Sequence, residues 1–164
     1  MKPVTALVIV GASVLALGCG RLASGATTDS SGADFLAKNA KAPGIQRTAS
    51  GLEYRILRSG PAAGAHPKLG DEVKVNYEGK LLDGQVFDSS YERGAPAVMT
   101  LRGLVPGWIE ALQLMRPGDD WLIYLPPSLG YGAAGAGPIP PNAVIVFRIE
   151  LLGDLPAPSP GARG

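Results

Sequence analysis

The 164-residue chain has room for one ordinary domain and little besides, and its 15 basic and 14 acidic side chains leave no field for attracting nucleic acid or an anionic membrane surface. With 46% hydrophobic residues, 23 Gly and 15 Pro, the composition is that of a loop-rich fold rather than a disordered one. A single Cys excludes an internal disulfide and any multi-cysteine zinc site.

The chain opens as an address. Lys2, an apolar run over residues 4–17 and the small residues Gly18, Cys19 and Gly20 have the layout of an export signal, residues 1–18, too short for the roughly 20 residues of a bilayer span. The lone Cys19 at the end of that run resembles a bacterial lipoprotein signal, acylated on the thiol and cut just before it, although Leu15 stands one place early for the commoner form. Cleavage by ordinary signal peptidase at residues 23–26 is the alternative. Residues 20–32 are mostly Ala, Ser, Thr and Gly, cannot repay the entropy of ordering, and read as a flexible tether. Within a tether of residues 19–50, a short helix is expected at 34–41, capped by Asp34 and stopped by Pro43-Gly44. Folded structure is expected from about Gly51.

Leu52, Tyr54 and Ile56 alternate with polar neighbours, and so do Val73, Val75 and Tyr77, which predicts two strands with one wet face each. Between them residues 59–70 form a loop, and His66, with no partner nearby in sequence, reads as a solvated loop residue rather than a ligand or base. Asp83-Gly84 between Leu81-Leu82 and Val86-Phe87 signals a hairpin, expected as a type I′ turn with two positive φ angles. Residues 97–101 predict a further short strand. Then the period changes: Val105, Ile109, Leu112 and Met115 fall on one helical face, Pro106 suits the first turn, and Pro117-Gly118 ends the segment. Residues 121–125 and 144–152 predict two last strands, joined by a long loop at 132–142. The order predicts an α+β fold, an antiparallel twisted sheet wrapped on one short helix, over residues 51–154, with 155–164 a disordered proline-rich tail.

Tyr77-Glu78-Gly79, Asp83-Gly84, Phe87-Asp88-Ser89-Ser90, Val105-Pro106-Gly107-Trp108, Tyr131-Gly132, Ile139-Pro140-Pro141-Asn142-Ala143 and Val146-Phe147 together resemble the FK506-binding protein family of peptidyl-prolyl cis-trans isomerases. The likeness covers about residues 50–154 in the family's own order, and Pro106 with Ser50-Gly51-Leu52-Glu53-Tyr54 is more similar to the bacterial macrophage-infectivity-potentiator-like branch. Taken singly, an aromatic residue in a small domain is more often core than site. The joint match outweighs that.

The resemblance implies an isomerase that turns X-Pro bonds of exported or envelope proteins, with no cofactor and no metal. It implies Trp108 as floor of a proline pocket, with Phe87, Leu104, Val105, Ile139, Phe147 and Tyr77 around it. Tyr131 would donate to a substrate carbonyl, and Asp88, beside the Tyr77 hydroxyl and held by Arg93, would face the twisting amide. Its partners would be proline-containing polypeptides and macrolides of the FK506 and rapamycin kind, with no nucleic acid. Acylation of Cys19 would anchor the chain in the envelope, in the periplasm on the outer membrane. Three departures qualify this. Ala97 stands where the family often has an aromatic wall, which implies a wider pocket and weaker macrolide binding; the loop over residues 131–141 is one residue short, with Ala136 in place of a frequent His; and there is no room for the branch's long dimerisation helix, which implies a monomer. A proline-peptide-binding chaperone without turnover and a surface adhesion module remain as alternatives.

Overall fold

The structure, a computed structural model, describes residues 26–157. The export signal, Cys19 and residues 158–164 of the tail lie outside the described residues.

The first element differs from expectation. Helix α1 spans Ala26–Asn39, so residues 26–32 are helical rather than tether, and Asp34 lies inside the helix instead of capping it. The reason is tertiary: short helices take most of their stability from packing, which a composition of small residues does not reveal. The Phe35 ring lies 5.9 Å from that of Tyr124, the Asn39 amide donates to Glu53 Oε2 at 2.8 Å, and Gly32 sits so close to Val144 that a side chain there would collide. After a turn, strand β1 (Gln46–Arg47) pairs with β2 (Glu53–Arg58), so ordered pairing begins before Gly51.

The centre of the sheet is β3 (Glu72–Leu81), whose Val73, Val75, Tyr77 and Leu81 are buried on one face by the period-two alternation seen in the sequence. Along one edge runs β7 (Ile145–Leu155), with Tyr77 opposite Ile149 and Gly79 opposite Phe147. The other edge is shared. β4 (Val86–Ser89) pairs with its later half and β5 (Ala97–Thr100) with its earlier half, all antiparallel. On the far side of β7 lies β6 (Asp120–Leu125), which in turn pairs with β2.

The β3–β4 hairpin forms where Asp83-Gly84 predicts it, but not as a type I′ turn. Gly84 has φ 92°, while Asp83 is not in the positive region, where Asn142 is the sole non-glycine among the described residues. Gly84 N–H donates to Leu81 O at 3.0 Å and Leu81 N–H to Gln85 O at 2.9 Å, which is a type I turn followed by a left-handed glycine. The Asp83 carboxylate accepts from Gln85 N–H at 2.9 Å, a local bond that suits the longer loop.

Helix α2 (Pro106–Leu114) has Pro106 at its first position, where the missing N–H costs nothing, and ends just ahead of Pro117 with Met115 N–H donating to Ala111 O. Its Trp108, Ala111 and Leu112 pack on the inner face of the sheet with Leu52, Leu101, Ile123, Leu125, Ile145, Ile149 and Leu151. Burying each such Leu or Ile contributes about 1.5–3 kcal/mol. Gly107 lets helix and sheet approach closely, since a Cβ there would stand 2.6 Å from Leu125 Cγ. Tyr124, Val144 and Val146 are buried too but outside this cluster, on the reverse face where α1 lies. The loop at 59–70 forms as expected, and exposed His66 places Nδ1 3.0 Å from the Met115 carbonyl, stapling the loop to the end of α2.

Candidate functional site

A hollow of about 260 Å³ opens between the inner face of the sheet and the start of α2, lined by Tyr77, Asp88, Met99, Gly103, Leu104, Val105, Trp108, Tyr131 and Phe147. Trp108 lies in the first turn of α2, and this fixes its indole at the base of the hollow. It meets Tyr77 edge-to-face at 5.1 Å and 86°, and Phe147 at 5.1 Å and 89°. Such pairs are worth about 0.5–1.5 kcal/mol each beyond burial, so the three rings form a stiff lining. Gly79 makes room for it, because a Cβ there would run into the rings of both Phe147 and Phe87.

One corner of this apolar hollow is charged. The Tyr77 hydroxyl donates to Asp88 Oδ2 at 2.5 Å and accepts from Arg93 Nη2 at 2.7 Å, while Arg93 Nη1 donates to Asp88 Oδ1. The guanidinium also stands 5.3 Å from the Tyr77 ring centroid. Burial works to raise the Asp88 carboxyl, but the bonds from Tyr77 and Arg93 outweigh it and hold the group below the usual carboxylate range. Burial, and then the bond to Asp88, push the Tyr77 phenol up; the bonds to Tyr77 and Asp88 do the same for Arg93. At neutral pH the corner is therefore a neutral phenol, a carboxylate and a guanidinium.

Tyr131 follows the 3₁₀ turn Pro127–Leu129 and faces the hollow from the other side. Burial, and then the Asp88 charge, push its phenol up, so it keeps its proton. Its hydroxyl has no hydrogen-bond partner among the described residues, which leaves a donor free for a ligand.

Of the residues singled out in the sequence, Tyr77, Asp88, Leu104, Val105, Trp108, Tyr131 and Phe147 come together on the hollow, and Arg93 joins through Tyr77 and Asp88. Phe87 and Ile139 are not among its lining. Phe87 is half-buried edge-on against Phe147 at 5.6 Å; Ile139 is buried in the core, its main chain paired with Ala136. Met99 and Gly103 were missed. Met99 had a signal in the alternation of β5, which puts it on the same face as Ala97, whereas nothing in the sequence marks Gly103. Among the described residues no cluster of His, Cys, Asp and Glu is arranged to hold a metal ion, and no helix is long and apolar enough to cross a membrane.

Two family models match the chain: "FKBP-type peptidyl-prolyl cis-trans isomerase" over residues 64–152, and "Domain amino terminal to FKBP-type peptidyl-prolyl isomerase" over residues 21–56. The peptidyl-prolyl cis-trans isomerase Mip of Coxiella burnetii is 50% identical over 119 residues, 72% of this chain and 51% of that protein. The outer membrane protein MIP of Legionella longbeachae is 44% identical over 119 residues, 72% of this chain and 50% of that one. Among solved structures, the crystal structure of FkpA from Escherichia coli superposes with a TM-score of 0.77 at 42% identity, covering 81% of this chain and 62% of FkpA. The chain spans about half the length of the relatives it matches in sequence.

Proposed function

The chain belongs to the FKBP-type peptidyl-prolyl cis-trans isomerase family, and from that premise we propose that it catalyses rotation about X-Pro bonds in exported polypeptides, with the Trp108 hollow as its active site. The observation that carries the reading is the joining of an aromatic hollow to one ionised corner and one unengaged hydroxyl.

Rotation about X-Pro meets a barrier of about 18–20 kcal/mol because amide resonance is lost in the twisted form. No bond is made or cut. The planar amide is the more polar species, with negative charge on its oxygen, so a dry hollow that withholds water raises the ground state relative to the twisted one. In this reading Trp108 is the floor under the proline ring, Tyr77, Leu104, Val105 and Phe147 are walls with Met99 beside them, and Phe87 and Ile139 back them. Tyr131 donates to a carbonyl next to the proline and keeps the peptide in register. The Asp88 carboxylate, beside the turning carbonyl, disfavours the charge-separated planar form more than the twisted one. Tyr77 and Arg93 keep that carboxylate ionised and aimed.

We place the protein in a bacterial cell envelope, supported by the export-signal layout of residues 1–18 and by a relative named as an outer membrane protein. Cys19 is the acylated residue in this reading. Fatty-acid labelling of the parent, lost in Cys19→Ala, is the expected result, and an unlabelled parent removes the anchor.

The activity is tested with the full chain and a short X-Pro peptide, following the cis population. The parent accelerates the relaxation, and Trp108→Ala, still folded, slows it by about tenfold or more, in the range of a lost transition-state contact. A parent rate equal to that of buffer alone overturns the reading, whatever the peptide affinity, because equal binding of ground and transition states accelerates nothing.

A further inference from the structure

Ser90 is wholly shut off from solvent, yet it does not line the hollow, and its side-chain hydrogen bonds go to Tyr77 and Asn76. Its position explains why it is there. β4 ends at Ser89, opposite Glu78, and β5 resumes at Ala97, opposite Val75, so the outer edge of β3 at Asn76 and Tyr77 faces a gap between two strands. A main-chain N–H left unpaired in such a buried place is destabilising. Ser90 fills the gap alone: its N–H donates to Tyr77 O at 2.9 Å, and its Oγ accepts from Tyr77 N–H at 2.8 Å. The hydroxyl proton has the Tyr77 carbonyl at 3.3 Å and Asn76 Oδ1 at 3.5 Å to donate to. The Ser90 carbonyl accepts from Ala95 N–H at 3.3 Å, closing the excursion that presents Arg93.

We propose that Ser90 is a positioning residue whose buried hydroxyl fixes the main chain of Tyr77 and the root of the Arg93 turn, so that phenol, carboxylate and guanidinium meet at the edge of the hollow. The proposal rests on the isomerase reading for its kinetic consequence but not for its structural one. An alanine at this position keeps the Ser90 N–H bond and loses the acceptor for Tyr77 N–H, so β3 is free to shift at the residue that carries the phenol.

The test is a double-mutant cycle in the full chain. Ser90→Ala lowers kcat/KM on an X-Pro peptide by about tenfold, as the phenol and carboxylate lose their alignment to the turning amide. In a Tyr77→Phe background, where there is no phenol to aim, the same change lowers it by less than about twofold. A merely structural serine gives equal losses in both backgrounds, and that result, or no loss in either, overturns the proposal. A second readout is independent of turnover: with tyrosine ring carbons labelled, NMR titration of Tyr77 shows its ionisation moved from the parent's value in Ser90→Ala as the contacts to Asp88 and Arg93 loosen. An unmoved titration overturns the proposal even in a chain that isomerises nothing, whereas a moved titration with an inactive parent sustains Ser90 and removes the isomerase reading. Ser90→Cys, close in size and a weak acceptor, serves in place of an alanine that fails to fold, with the same pattern at smaller amplitude.

Discussion

Asp88 stands at the margin of an apolar hollow, where burial alone favours the neutral acid, and it stays ionised because Tyr77 and Arg93 both donate to it. Its folded pKa is depressed, so the group contributes stability above its unfolded value of about 3.9 and that contribution is lost as the pH falls through the folded value. Tyr77, Tyr131 and Arg93 are all shifted upward, away from neutrality. Isomerase activity is therefore expected to be flat from about pH 5 to pH 9 and to fall only below the ordinary carboxylate range. In urea unfolding, the parent loses more stability between pH 6 and pH 3 than Asp88→Asn does; equal losses would show the carboxylate to be unengaged. At this scale the sequence was informative about chemistry and poor about direction. Asp88, Tyr77 and Tyr131 were singled out through the family resemblance, with Phe87 and Ile139 taken as walls by the same route, because a motif says which residues are near and not which ring faces inward.

The strands and α2 were readable because their burial repeats every two or about 3.6 residues in the sequence, and Pro106 marks the helix start. α1 was misread for the opposite reason. It is rich in Ala, Ser, Thr and Gly, has no strong apolar stripe, and is held by a handful of distant contacts that no local pattern contains. One of these is polar and buried. Glu53 is fully inaccessible, its Oε2 accepts from Asn39, and its Oε1 has no hydrogen-bond partner among the described residues, with Arg47 3.9 Å away. Asn39→Ala strips Glu53 of that donor, and a cost of about 1–3 kcal/mol in chemical unfolding is expected. Isomerase activity should stay at the parent level, since Asn39 touches nothing in the hollow. The turn at Asp83-Gly84 is a smaller case of the same limit: the dipeptide marks a hairpin, but loop length decides the turn type, and length depends on where the strands stop pairing.

At the scale of the whole molecule, the fold class was legible because the order of strands, helix and strands admits few packings, and a sheet with an apolar face must lay it on the helix within that order. What the order did not disclose is that the other face is partly covered as well. α1 rests on Tyr124 and Val144, and the hollow opens on the side of Trp108 and α2, so the sheet stands between them like a partition. The mouth of the hollow thus lies on the face of the sheet that α1 does not cover. Whatever bound α1 would leave the Trp108 face of the sheet uncovered.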